Sequence, residues 1–141
     1  MILRHLLPFV AACFALFAAP ANAADSINGR WVTEDKDGIV LIGKCGASTC
    51  GKIVRFLITP PDGPDQRDIY NPNPKLKKRK LLGLPVLTNF KEESDLWRGT
   101  IYDPNTGKSY RSVIRRKSAN TIEVKGCIGP FCQTQIWRKA R

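Results

Sequence analysis

The sequence predicts an all-β fold, a single antiparallel barrel of about eight short strands. Short segments in which apolar and polar residues alternate recur along the chain, and turn signals separate them at regular spacing. Residues 126–138 have the pattern of a hairpin tip followed by a final strand. We expect this last strand to pair with a first strand that begins at Gly29-Arg30-Trp31. Closure into a barrel is preferred over a sandwich because it removes exposed strand edges.

The first half of the chain predicts three strands and a long excursion. The strands are expected at residues 29–34, 38–44 and 51–59, with an Asp-Gly turn at 35–38 and a loop between two cysteines at 45–50. Residues 60–80 hold five prolines and almost no apolar residues. Proline removes ladder donors, so this stretch is predicted to leave the sheet, with a helical turn near residues 75–80.

The second half predicts five more strands, at residues 81–90, 96–102, 108–116, 121–126 and 132–139. Asp103-Pro104-Asn105-Thr106-Gly107 is the clearest turn signal in the chain. In the strand that follows it, Tyr110, Ser112 and Ile114 share one face and oppose three residues of the other parity. Arg111, Arg115, Arg116 and Lys117 are interpreted as a solvated surface, since charged side chains normally face water.

Residues 1–23 have the layout of a secretory signal peptide: a short basic start, an apolar run and an Ala21-Asn22-Ala23 cleavage site. We therefore expect an exported, soluble mature domain at residues 24–141, periplasmic or secreted, without a transmembrane segment. The mature chain loses Arg4 from the 23 Lys and Arg residues and keeps all 12 acidic ones, which leaves a net charge of +10. Such a charge favours anionic partners, and outside the cytoplasm nucleic acid is the weakest of these.

Four cysteines remain in the mature chain, in two pairs of equal spacing: Cys45 with Cys50, and Cys127 with Cys132. In an exported protein an even number of cysteines predicts disulfides, here with three connectivities open. The repeated spacing favours Cys45–Cys50 and Cys127–Cys132, each within its own hairpin. A zinc site is the alternative that the spacing permits, and the oxidising compartment argues against it.

The single histidine, His5, lies in the signal peptide. The mature chain therefore cannot form a Ser-His-Asp or Cys-His site, and oxidised cysteines would leave no thiolate nucleophile. Two acidic pairs, Glu92 with Glu93 and Asp35 with Asp37, are expected in turns. No hydrophobic pocket there would raise the pKa of a carboxyl group. We expect no catalytic residues, no metal and no cofactor, and an enzyme is the least favoured reading.

Several motifs resemble a family of bacterial exported proteins, domain-of-unknown-function family 2147. They are Gly29-Arg30-Trp31-Val32, the segment Gly43-Lys44-Cys45 to Cys50-Gly51-Lys52-Ile53, Asn71-Pro72-Asn73-Pro74, Leu82-Gly83-Leu84-Pro85-Val86-Leu87, the segment from Tyr102 to Tyr110, and Gly126-Cys127-Ile128-Gly129 through Gln135-Ile136-Trp137-Arg138. The resemblance implies a lipocalin-like β-barrel and no defined activity.

A looser resemblance is to lipocalins themselves. In those barrels a Gly-x-Trp opens the first strand, and a basic residue of the last strand stacks over the indole at the closed end. The matching positions are Gly29, Trp31 and Arg138. The resemblance implies a cation–π contact between Arg138 and Trp31, of about 0.5–2 kcal/mol.

Two groups of residues are candidate binding sites. Aromatic residues on strands could line a pocket for a fatty acid or similar amphiphile, or could simply fill the core: Phe56, Phe90, Trp97, Tyr102 and Tyr110. Cations in and beside the proline-rich excursion could dock on anionic lipid or polymer, or could be an ordinary solvated loop: Lys75, Lys77, Lys78, Arg79 and Lys80.

The leading hypothesis is an exported, non-catalytic lipocalin-like protein that binds a small apolar or amphipathic ligand in the barrel. The alternative is an envelope interaction protein that docks on anionic lipid or polymer through the basic loop.

Overall fold

The computed structural model describes residues 23–141. The predicted signal peptide therefore lies outside the described residues, apart from Ala23. Eight strands form one closed barrel in which every strand pairs antiparallel with its neighbours in the sequence. They are β1 (Gly29–Val32), β2 (Gly38–Cys45), β3 (Ser48–Phe56), β4 (Pro85–Glu93), β5 (Leu96–Asp103), β6 (Lys108–Ser118), β7 (Thr121–Ile128) and β8 (Phe131–Lys139). The predicted all-β barrel is confirmed.

The barrel closes where the first and last strands meet. Trp31 lies opposite Lys139 and Val32 opposite Arg138 in the β1–β8 pairing. Beyond β8, the Ala140 N–H donates to the Arg30 carbonyl at 2.9 Å. The first and last strands are thus hydrogen-bonded into one continuous sheet with no open edge.

The structure departs from the prediction before β4. This strand begins at Pro85 rather than residue 81, because Leu81 to Leu84 form a turn in which Gly83 has a φ of 84°. Residues 74–78 form turns and Lys80 an isolated bridge, in place of the predicted helical turn near residues 75–80. A single 3-10 turn, Gly63–Asp65, lies instead near the start of the excursion.

Because the strands run up and down, their turns collect at two ends of the barrel. The closed end carries residues 23–28 and the β2–β3, β4–β5 and β6–β7 turns. The mouth carries the β1–β2, β5–β6 and β7–β8 turns, together with residues 57–61 after β3.

The hydrophobic core fills the barrel toward the closed end. Its buried members include Ile27, Trp31, Val40, Ile42, Leu87, Phe90, Ile114, Ile122, Val124 and Trp137. Burying each of the large side chains contributes about 1.5–3 kcal/mol. The Phe90 ring packs directly over Gly99, where a Cβ atom would lie 2.6 Å from the ring.

The excursion between β3 and β4 folds back against the side of the barrel. Arg67 and Lys80 form an isolated β-bridge that draws its two arms together. Its middle packs on the β5–β6 turn, where a Cβ atom on Gly107 would lie 1.9 Å from the Tyr70 carbonyl oxygen. Only glycine permits this approach, and Gly107 also has a φ of 71°.

Both predicted disulfides are present, Cys45–Cys50 in the β2–β3 hairpin and Cys127–Cys132 in the β7–β8 hairpin. Each crosses its own hairpin, so the zinc alternative does not apply to these cysteines. Between residues 23 and 141 there is no helix with the length and apolar character needed to cross a membrane.

Candidate functional site

The barrel contains a cavity of about 810 Å³ that extends from its centre to the mouth. Apolar side chains from six of the strands form much of its wall: Ile39, Val40, Ile53, Phe56, Val86, Ile101, Val124 and Trp137. Residues from the mouth turns complete it, including Pro60, Pro61 and Pro104. Ligand pockets in proteins span roughly 300–1,000 Å³ and are mostly apolar with a few polar groups, so this cavity has the size and character of one.

Below the mouth, the polar side chains of the cavity are few and uncharged. Tyr102 and Tyr110 contribute phenolic hydroxyls, and Gln133 and Gln135 contribute amides from β8. The Gln135 Oε1 accepts a hydrogen bond from the Trp137 Nε1 at 2.8 Å, which fixes the indole against the wall. Trp137 is 3% exposed. It is therefore the tryptophan whose fluorescence would report directly on an occupant.

One row of inward-facing residues on β6 runs from the mouth to the closed end. Tyr110 lines the cavity, and Ile114 belongs to the core. Ser112 lies between them, 2% exposed, and its hydroxyl has no hydrogen-bond partner within residues 23–141. Arg116, the last of the row, stands over the Trp31 ring with its guanidinium carbon 5.4 Å from the ring centre.

Arg116 also ties the segment before β1 to the closed end. Its guanidinium donates to the carbonyl oxygens of Ser26 at 2.6 Å, Ala119 at 2.7 Å and Ser118 at 3.0 Å. The Trp31 Nε1 donates to the Ile27 carbonyl at 2.9 Å. The segment at residues 23–28 is thus held across the barrel end, with Ile27 fully buried beneath it.

The predicted stacking of Arg138 on Trp31 is wrong, because Arg116 makes that contact. The cause is the alternation of side chains along β8. Trp137 faces the interior, so its neighbour Arg138 faces outward and is exposed. Gly29 and Trp31 do lie at the closed end as predicted, with the indole against the glycine. The interpretation of Arg116 as a solvated surface residue is also wrong, because Arg116 shares the inward parity of Ser112 and Ile114 on β6 and contacts Trp31.

The structure brings three of the five candidate aromatics together. Phe56, Tyr102 and Tyr110 line the cavity. Phe90 and Trp97 do not, and this part of the prediction is corrected. A bulge in β4, where Asn89 has a φ of 57°, sets Phe90 into the core at the closed end. Trp97 packs beside that core, and its Nε1 donates to the Asp25 carbonyl at 3.0 Å.

Behind Tyr102 lies a buried polar cluster that sequence reasoning missed. Asp68 is fully buried in the excursion and accepts hydrogen bonds from the Tyr102 hydroxyl at 2.6 Å and the Asn71 amide at 3.0 Å. Arg79 forms an ion pair with the same carboxylate at 2.8 Å and stacks over the Tyr102 ring. Burial, and then the bond to Asp68, raises the pKa of Tyr102. The protonated Tyr102 hydroxyl donates a hydrogen bond to Asp68, and this bond anchors the excursion to the barrel wall.

The basic run divides into two groups. Arg79 is paired with Asp68, and Lys80 with Asp65 at 2.5 Å, where its hydrogen bond lowers the pKa of the Asp65 carboxyl. These two cations make ion pairs within the excursion, and their part in binding an external anion stays a prediction. Lys75, Lys77 and Lys78 are exposed on the excursion's outer turn.

A second feature absent from the sequence predictions is the character of the mouth. Large apolar side chains are exposed around it: Leu57, Ile58, Ile128 and Phe131, the last 81% exposed. Ile128 and Phe131 flank the Gly129-Pro130 turn at the tip of the disulfide-crossed hairpin. Within residues 23–141 no three His, Cys, Asp or Glu side chains cluster in a way that could hold a metal ion.

A closed antiparallel barrel of eight strands, sealed at one end and hollow toward the other, defines a lipocalin-like protein. A solved structure with the same fold is protein HP1028 from the human pathogen Helicobacter pylori, described as belonging to the lipocalin family. It superposes with a TM-score of 0.70 at 21% sequence identity, covering 82% of this chain and 84% of that one.

The chain itself belongs to the bacterial family described as "Uncharacterized protein conserved in bacteria (DUF2147)", whose sequence model matches residues 29–139. The resemblance stated from the motifs is therefore confirmed. The search of curated proteins found no match.

Proposed function

We propose that this protein is exported and binds a small apolar or amphipathic ligand inside the barrel, without catalysis. The observation that carries the proposal is the cavity of about 810 Å³, walled by apolar side chains and reaching the mouth. Export is supported by the signal peptide predicted in the sequence and by the two disulfides, which form and persist in oxidising compartments.

The geometry favours binding over chemistry. The cavity wall offers hydroxyls, amides, an indole and carboxylates at the mouth, but no histidine or thiolate, since the only histidine is His5 and the mature cysteines are paired. Tyr102, which does reach the cavity, is held by Asp68 as a hydrogen-bond donor. Groups of this kind orient a ligand and do not activate one.

Gly126 offers a way to test the cavity. It lies on the wall, and a Cβ atom there would meet only Ile101 at 3.5 Å and Tyr110 at 3.9 Å, which is ordinary contact. Leucine at this position would extend into the cavity. Gly43 on β2 provides the matched control, because a Cβ atom there meets nothing within 4 Å and its parity is opposite to that of the buried Ile42.

The experiment is a titration of the purified protein with single-chain amphiphiles, followed by Trp137 fluorescence and by calorimetry. We expect micromolar binding to the wild type and to Gly43→Leu, and at least about tenfold weaker binding to Gly126→Leu, or about 1.4 kcal/mol. Absence of binding to the wild type, or equal affinity in all three proteins, would reject the proposal.

A second candidate function is docking on an anionic surface, favoured by a different observation. Lys75, Lys77 and Lys78 are exposed on one turn with Leu76, and the exposed Tyr70 lies on the same excursion. Each cation near an anionic membrane contributes about 1 kcal/mol. Replacing the three lysines by serine should then abolish salt-sensitive binding to phosphatidylglycerol vesicles. Unchanged vesicle binding would exclude this function, and the paired Arg79 and Lys80 are left intact so that the excursion stays folded.

A further inference from the structure

The charged residues that line the cavity are all acidic. They are Glu34, Asp35, Asp37 and Asp103, and no lysine or arginine is among the lining residues of the described chain. Cations outnumber acids by 22 to 12 after removal of the signal peptide, since Arg4 is the only charged residue lost. A random sample of this surface would therefore be mostly basic. The charged side chains of the cavity lining are therefore negative on a protein whose net charge is positive.

Three of these carboxylates are held in place by hydrogen bonds within the described chain. Asp37 accepts from the Thr33 hydroxyl at 2.5 Å, and Asp103 accepts from the Asn105 N–H at 2.9 Å. Glu34 accepts from the Ile136 N–H at 3.0 Å.

None of the four acids takes part in an ion pair within residues 23–141. Cations do lie near the mouth without lining the cavity. Lys36 is exposed in the β1–β2 turn, Lys108 is exposed at the start of β6 opposite Asp103, and Arg111 donates to the Gly129 carbonyl in the β7–β8 turn. The negative charge of the lining is therefore not cancelled by side-chain pairing.

Below the mouth the interior is uncharged. The groups there are apolar side chains, the two tyrosines and the glutamines, with the unpartnered hydroxyl of Ser112 on the inward face of β6 between cavity and core. Nothing in this interior can neutralise a buried carboxylate, and an unpaired buried charge is strongly unfavourable. A ligand's charged group must therefore remain at the mouth, among the four acids.

We propose that the cavity takes a cationic or neutral amphiphile, with its apolar chain inside and its polar head at the acidic mouth, and that it rejects the carboxylate of a fatty acid. This inference rests on the proposed binding function and specifies its ligand class. It reverses the expectation from composition, which favours anionic partners for the protein as a whole. The cavity and the outer surface would then select for opposite charges.

The test compares three ligands that share one chain: dodecylamine, dodecanamide and dodecanoate, titrated at neutral pH below their micelle-forming concentrations. We expect the amine to bind at least about tenfold more tightly than the carboxylate, with the amide between them. Because charges at the mouth are exposed to solvent, the ratio should fall toward one as salt is raised.

The variant Glu34→Gln/Asp35→Asn removes two charges from the mouth. The control Glu93→Gln/Asp95→Asn removes two charges at the closed end, at the end of β4 and in the turn that follows it, where they pair with Arg98 and Arg115. The amine-to-carboxylate ratio should fall in the first variant and stay unchanged in the second. Equal affinities for the amine and the carboxylate, or equal effects of the two variants, would overturn the inference and leave ligand binding standing. Failure of all three ligands to bind would instead reject the binding function itself.

Discussion

Arg116 offers the sharpest test of how the closed end is held. Its side chain joins β6 to the segment before β1 and covers the Trp31 indole. Replacing Arg116 by alanine removes a cation–π contact and three hydrogen bonds to carbonyl oxygens at once. It introduces no new charge and leaves the strand pairing unchanged.

The magnitude follows from these contacts. The cation–π contact contributes about 0.5–2 kcal/mol. Each hydrogen bond contributes a net of about 0.5–1.5 kcal/mol. Because the contacts share one side chain and are partly open to solvent, their contributions do not simply add, and we expect a total loss of about 2–4 kcal/mol. For a domain of this size each kcal/mol lowers the melting temperature by about 4 °C, so the variant should melt about 8–16 °C lower.

The assay is urea unfolding followed by tryptophan fluorescence, with Arg138→Ala as the control. Arg138 carries the same charge but faces outward, so its loss should change the free energy of unfolding by less than about 0.5 kcal/mol. Arg116→Lys should keep only part of the stability that Arg116→Ala loses, because a lysine ammonium cannot reproduce the planar guanidinium and its fixed set of N–H donors. If Arg138→Ala costs as much as Arg116→Ala, the assignment of the sealing cation to β6 is refuted.

Two further predictions concern the excursion and the core. Burial and the bond to Asp68 raise the pKa of Tyr102 in the folded state. The contribution of Tyr102 to the free energy of unfolding is therefore full below about pH 10 and is lost as the pH rises from there through the folded-state pKa. The stability difference between wild type and Tyr102→Phe should therefore shrink in that alkaline range, and a constant difference in pH-dependent unfolding would contradict this. Gly99→Ala should destabilise by about 1–3 kcal/mol, since its Cβ atom would lie 2.6 Å from the Phe90 ring. Gly43→Ala should not destabilise the protein, because there is open space around Gly43. Equal effects of the two substitutions in thermal unfolding would argue against the close packing of Phe90 on Gly99.

The strands of the barrel could be predicted from the sequence more reliably than the residues that seal its closed end. Turns and alternation predict strands directly, and the same alternation already placed Tyr110, Ser112 and Ile114 on one face of β6. One more step along that row reaches Arg116, which shares their parity. The prediction missed it because an arginine is normally assigned to solvent, and because the family resemblance directed attention to Arg138. The parity of Trp137 on β8 already argued against that choice.

Other features could not be obtained from local pattern at all. The inward position of Phe90 depends on a bulge at Asn89. Asparagine tolerates a positive φ, but a single asparagine inside a strand does not indicate that the strand bulges there. The contact between Asp68 and Tyr102 depends on the path of a long excursion, and a lone aspartate among prolines carries no periodicity. The cavity depends on the sizes and positions of the inward side chains of all eight strands, which no local pattern specifies.

The size of the cavity bears on stability as well as binding. The cavity opens at the mouth, so it is not an enclosed void, but its apolar wall lacks the packing contacts that a filled core supplies. The sealed end, the hairpin disulfides and the continuous sheet therefore supply stability that the interior does not. An apolar ligand at a hundred times its Kd would then stabilise the fold by about 2.7 kcal/mol, because it binds only where the barrel is already formed.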